Sequence, residues 1–91
     1  MPVRVRIPTL LRPQAGGASE VEGRGSTLRA LLQDLEQRYP GITERILTDQ
    51  GQLHRFVNLY VNDEDVRYLG ALDAEVKEGD TVSILPAVAG G

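Results

Sequence analysis

Ala87, Val88, Ala89, Gly90 and Gly91 close the sequence as a run of small residues carrying an α-carboxylate. Two consecutive glycines have no Cβ, so their backbone can lie flat in a narrow slot and reach dihedrals closed to other residues. A carboxylate on such a stem can be delivered deep into another protein's active site. The competing reading is a frayed end without function, since chain ends are commonly disordered. The preceding segment weighs against it: Asp80 to Pro86 reads as a strand running straight into the tail, so the tail projects from a fixed point.

No other residue set offers comparable chemistry. Cysteine is absent, which removes disulfides, thiolate metal ligands, thiol nucleophiles and persulfide carriage on a side chain. His54 is the only histidine, and with no cysteine beside it a zinc site cannot be built; it reads as a surface or turn residue. Asp63, Glu64 and Asp65 are consecutive carboxylates without the spaced oxygen ligands of a calcium loop, and read as a solvated turn. The remaining carboxylates show no partner base, so a hydrolase with its own site is not expected.

Ninety-one residues make one domain with a modest core. The net charge of −3 and pI near 5.0 give a nucleic acid or anionic membrane no electrostatic footprint to bind. Met1-Pro2-Val3-Arg4 leads directly into alternating sequence with no apolar leader, and no run of apolar residues is long enough to span a bilayer. A soluble cytoplasmic protein, monomeric when free, is expected.

The elements that must position the tail follow from periodicity. Val3, Val5 and Ile7 alternate with Arg4 and Arg6, a half-buried first strand closed by Pro8. Residues 10–17 carry the Pro and Gly of a long turn, 18–22 form a return strand, and Gly23-Arg24-Gly25 breaks it. Ser26 or Thr27 caps a helix whose apolar stripe is Leu28, Leu31, Leu32, Leu35 and Tyr39, and Pro40-Gly41 stops it. Residues 42–47 suit a further helical turn. Residues 55–61 are the strongest strand, 62–65 turn it back, 66–68 form a short strand, Glu78-Gly79 turns, and 80–86 is the last strand. The order is ββαβββ, and one apolar helix stripe with several half-buried strands predicts a two-layer α+β domain, a helix across a mixed sheet. The domain spans 1–86, with a flexible tail at 87–91.

Residues 55–58 (Arg-Phe-Val-Asn), 60–67 (Tyr-Val-Asn-Asp-Glu-Asp-Val-Arg) and 84–91 (Ile-Leu-Pro-Ala-Val-Ala-Gly-Gly), together with the Glu78-Gly79-Asp80 turn, resemble the ubiquitin-like sulfur carriers. That family includes the small subunit of molybdopterin synthase and the thiamine-pathway carrier. The likeness is closest to its branch in actinobacterial cysteine biosynthesis and spans nearly the whole chain. It implies a ubiquitin-like β-grasp fold and a carrier rather than an enzyme.

In such carriers a partner adenylyltransferase activates the terminal carboxylate with ATP, and sulfide or a persulfide displaces AMP to leave a thiocarboxylate. Gly91 would bear that group. An α-carboxyl with a pKa of about 3.5 is ionised at pH 7 and a poor electrophile, which is why activation is needed. The resemblance further implies that a PLP-dependent cysteine synthase offers the thiocarboxylate an aminoacrylate derived from activated serine. The thioester rearranges to an amide, and a metal-dependent peptidase releases cysteine. ATP, PLP and zinc belong to those partners, so no cofactor is expected in this chain. The same tail chemistry serves molybdopterin, thiamine and related routes, and a ubiquitin-like protein modifier would use it to acylate lysines.

Partner docking is expected on the outer sheet face and along the tail, at Ala87, Val88, Ala89 and Gly90. If Val57, Leu59 and Val61 point under the helix, alternation turns Phe56, Asn58 and Tyr60 outward, and likewise Ser83 and Leu85 opposite Val82 and Ile84. Phe56, Tyr60 and Leu85 then form an apolar patch beside the root of the tail. The alternative is that loops at 8–17 or 48–54 cover it.

Overall fold

The alternation of Val3 and Val5 with Arg4 and Arg6 yields β1 (Val3–Arg6), with both valines buried and both arginines exposed. It pairs antiparallel with β2 (Glu20–Gly23) in the register Val5↔Val21. After α1 (Leu28–Arg38) come β3 (Val57–Val61), β4 (Glu64–Asp65) and β5 (Thr81–Pro86). The computed structural model describes residues 2–55 and 57–86. Phe56 and the tail at 87–91, with the flexibility expected of it, lie outside the described residues.

The sheet order is β2-β1-β5-β3-β4, with β1 and β5 parallel and the other pairs antiparallel. This is the expected β-grasp: a mixed sheet with one main helix on one face. β5 is central, held by β1 through Val5↔Val82 and by β3 through Leu59↔Ile84. The strand that leads to residue 87 therefore has neighbours on both sides.

Thr27 caps α1 by accepting a 3.2 Å hydrogen bond from the Ala30 N–H. Leu28, Leu31, Leu32 and Leu35 are buried together with Val5, Ile7, Leu59, Val61, Val82 and Ile84, as their periods predict, while Val57 is only partly buried. The helix approaches the β2–α1 link so closely that a Cβ on Gly25 would stand 2.5 Å from the Leu31 nitrogen and 2.8 Å from the Ala30 carbonyl carbon. Backbone cannot yield as a side chain does, so Gly25→Ala is expected to lower stability by about 1–3 kcal/mol, the range of overpacking. An unchanged urea midpoint would contradict that contact.

Past the helix, the Glu36 carboxylate accepts hydrogen bonds from the Gly41 N–H (2.7 Å), the Thr43 N–H (3.1 Å) and the Thr43 hydroxyl (2.5 Å). These bonds, the Thr43 hydroxyl foremost, hold the Glu36 pKa below the usual glutamate value. A depressed folded pKa stabilises the fold above the unfolded pKa, and the contribution is lost as pH falls through the folded value. Stability is thus expected to decline below about pH 4, and Glu36→Gln to flatten that decline. An NMR titration placing Glu36 at its ordinary pKa would contradict the assignment.

Several elements differ from expectation. The turn expected at 10–17 is largely a 3-10 helix, Thr9–Ala15, which buries Leu11 and Ala15. Residues 66–68 are not a strand but a 3-10 turn, and the pairing falls on Glu64–Asp65 instead. The cause is local. Asn62 and Asp63 take positive φ (50° and 72°), forming a two-residue hairpin turn that pairs Val61 with Glu64. Two residues later the Asp65 carboxylate accepts the Arg67 N–H at 2.9 Å, bending the chain out of the sheet. The strong strand starts at Val57, and the connection after Gly70 includes a 3-10 turn, Ala71–Asp73. Its continuation docks on the helix start through Leu28 N–H to Ala74 C=O (2.9 Å) and Val76 N–H to Ser26 C=O (3.1 Å), which buries Ala74 and Val76.

Candidate functional site: the outer sheet face and the end of β5

Strand alternation that buries Val82 and Ile84 sends Ser83 and Leu85 to the face opposite the helix. The register then assembles one row across all five strands: Glu20, Arg6, Ser83, Tyr60 and Asp65. Leu85 lies one row nearer the end of β5, opposite Asn58. It is 49% exposed, and Tyr60 is half-buried. The structure thus brings Tyr60 and Leu85 onto one face, in adjacent rows near the end of β5; Phe56, the third member expected, is outside the described residues.

The 3-10 helix at 9–15 stands beside this face without covering it. It contributes Arg12 to a groove of about 600 Å³ lined also by Arg6, Tyr60, Ser83 and Leu85, and it leaves Leu10 68% exposed. Arg12 is steadied by donating from Nε to the Ile7 carbonyl at 3.2 Å. The face is therefore apolar only near Tyr60 and Leu85, and charged toward β1 and β2, where Arg4 pairs with Glu20 at 3.0 Å. The place of Arg4 and Arg6 on this face was readable, since they are the alternates of buried Val3 and Val5. Arg12 was not, because its position depends on the unexpected 3-10 helix.

On the β4 side, Arg67 donates to both Asp65 oxygens, from Nη2 to Oδ2 at 2.7 Å and from Nε to Oδ1 at 3.1 Å, and from Nη2 to the Asn58 Oδ1 at 3.1 Å. The Arg67 bonds hold the Asp65 pKa below the usual carboxylate range. The acidic run 63–65 is thus partly engaged by a cation, and among the described residues no three His, Cys, Asp or Glu side chains group to hold a metal ion. His54 is half-buried. At the opposite end of β5, Asn62 donates to the Asp80 carboxylate at 2.9 Å and accepts from the Thr81 N–H at 3.0 Å, tying the hairpin turn to the start of the strand. No helix among the described residues is long and apolar enough to cross a membrane.

A β-grasp domain whose central strand runs toward a Gly-Gly end defines a class of ubiquitin-like proteins, and residues 5–91 match the ThiS family, to which the chain belongs. It is 56% identical over 93 aligned residues to the sulfur carrier protein CysO of Mycobacterium tuberculosis, covering 100% of both chains. It is 37% identical over 91 residues to a putative sulfur carrier protein of Archaeoglobus fulgidus, again covering 100% of both. Among solved structures it is similar to a chain of the Amycolatopsis orientalis BexX/CysO complex, with TM-score 0.91 and 56% identity over 98% of this chain and 99% of that one. Crystalline CysO of M. tuberculosis matches equally well, with TM-score 0.91 and 55% identity over 94% of this chain and 99% of that one.

Proposed function

We propose that this chain is a sulfur carrier of the cysteine-biosynthesis type, a protein co-substrate rather than an enzyme. The observation that carries the reading is the 56% identity to CysO over the full length of both chains, on a fold whose doubly paired central strand leads to the Gly-Gly segment. The Gly91 carboxylate attacks the α-phosphate of ATP in a partner adenylyltransferase, and pyrophosphate leaves. Sulfide then adds to the acyl carbon, AMP leaves with the bonding electron pair, and the S–H proton passes to solvent. The product is a thiocarboxylate at Gly91. Its sulfur forms the new C–S bond on an acceptor derived from activated serine, supplied by a PLP-dependent synthase. The acyl group shifts from sulfur to the neighbouring nitrogen, and hydrolysis by a metal-dependent peptidase releases cysteine and restores the carboxylate. ATP, PLP and zinc serve in those enzymes.

The chain's own part is to present and to dock. Ala87, Val88, Ala89 and Gly90 thread the partner's slot, and Tyr60 and Leu85 form the surface beside it. Leu85→Glu places an unpaired charge in that contact. It is expected to leave the fold stable while raising the adenylyltransferase's KM for the carrier about tenfold or more, some 1.4 kcal/mol. Normal activation kinetics would remove Leu85 from the interface. The acceptor is tested by giving thiocarboxylated carrier and the PLP-dependent synthase activated serine. Cysteine attached to Gly91 is the expected product; its absence, with sulfur delivered instead to a molybdopterin or thiamine precursor, would reassign the route.

A further inference from the structure

The chain is acidic overall, with a net charge of −3, yet the groove on its outer sheet face is basic where it meets the 3-10 helix Thr9–Ala15. Among the described residues Arg6 and Arg12 enter no ion pair. Of the two acids that line the groove, Glu20 is held by Arg4 at 3.0 Å, so Asp63 alone stands against the two guanidiniums. One positive charge is left in excess. Arg12 is already oriented by its Nε bond to the Ile7 carbonyl, which leaves its Nη groups to take a carboxylate with little further ordering.

A second hollow adjoins the same helix, lined by Leu10, Leu11, Val57 and Arg45. At about 110 Å³ it is smaller than the roughly 300 Å³ at which small-molecule sites begin, so it suits one apolar side chain. Leu10, 68% exposed, forms its rim. Pro8 and Ile84 line both hollows, which are therefore contiguous around the end of β1 and beside the last residues of β5. A free anion would leave the apolar notch empty, and a nucleic acid would bring more negative charge than one excess cation answers and would meet Asp63. A peptide segment bearing one carboxylate and one bulky apolar side chain satisfies both hollows.

We infer that the two hollows beside the 3-10 helix Thr9–Ala15 seat one extended segment of the adenylyltransferase, an acidic residue on Arg6 and Arg12 and a bulky apolar residue in the notch beside Leu10; the inference rests on the carrier reading above. The two contacts divide the work. An apolar anchor in a small pocket carries affinity, whereas charges around it set orientation and encounter rate. The helix thus adds to the surface at Tyr60 and Leu85 a contact that a bare sheet would not offer.

The test follows pyrophosphate release by the adenylyltransferase with ATP and the full chain, at low and high salt. Arg6→Gln combined with Arg12→Gln is expected to raise the KM for the carrier about fivefold or more at low salt with kcat unchanged, and to flatten the rise of KM with salt shown by the unsubstituted chain. Arg12→Lys, which keeps the charge, should raise it less. Leu10→Ser should raise KM about threefold or more at every salt concentration, because its contact is apolar. Arg29→Gln, exposed on the helix side, should match the unsubstituted chain. Arg6→Gln alone breaks no bond among the described residues, and it carries the test if loss of the Arg12 bond to Ile7 disturbs the helix. A KM and salt dependence indifferent to the arginine substitutions, or to Leu10→Ser, would overturn this inference alone. Sedimentation as a dimer that Arg12→Glu dissociates would also overturn it, by giving the surface to a second copy. Absence of pyrophosphate release from the unsubstituted chain would overturn the carrier reading and the inference with it.

Discussion

Gly90→Ala is expected to leave thermal unfolding unchanged and to slow thiocarboxylate formation about a hundredfold, the loss that a misplacement of about 1 Å imposes on a bound reactant. Stability should hold because the buried cluster, among the described residues, ends at Ile84. The rate should fall because an added Cβ must fit a slot that admits glycine and must permit the dihedrals that bring the carboxylate to the α-phosphate. A residue appended after Gly91 should block activation altogether until it is removed, since the reactive group then lies beyond the aligned position. Single-turnover adenylation of both variants checks the pair. Normal rates in either would mean that the Gly-Gly segment is not the working part.

Leu32→Ala is expected to cost about 2–5 kcal/mol, as truncations of fully buried leucines do through lost transfer energy and the residual cavity. Leu32 is 1% exposed within the same cluster as Leu28, Leu31 and Leu35. The core that holds β5 in the centre of the sheet is built on this helix stripe, so the effect should appear in the denaturant midpoint. Adenylation of the fraction that remains folded should be nearly normal, because the helix lies on the face opposite Tyr60 and Leu85. A small stability change would show that the stripe is not the centre of the core.

What could be read from sequence was what repeats. The period-two alternation of β1 and the 3.6-residue spacing of α1 run uninterrupted, and they gave the fold, most of the core and the outward placement of Leu85. The 3-10 segments have no such signature. Leu11 and Ala15 are buried from a stretch whose Pro13 and Gly16-Gly17 read as a plain turn. Val66-Arg67-Tyr68 has the composition of a strand, but the Asp65 side chain accepts the Arg67 N–H and the Leu69 N–H donates to the Val66 carbonyl, so it turns. Burial of Ala74 and Val76 depends on backbone bonds to residues 26 and 28, nearly fifty positions away, which local pattern cannot register. The same holds for the groove: Arg6 follows from alternation, whereas Arg12 reaches it through the 3-10 helix. The chemistry proposed for Gly91 draws on residue type and on the resemblance carried by residues 84–91 rather than on packing.

The most direct test of the central claim is the intact mass of the chain after incubation with its adenylyltransferase, ATP and sulfide, with the C-terminal peptide then fragmented. Replacement of one oxygen by sulfur, localised to Gly91, is the predicted result. AMP release that leaves the mass of the C-terminal peptide unchanged, or sulfur found on any other residue, would contradict it.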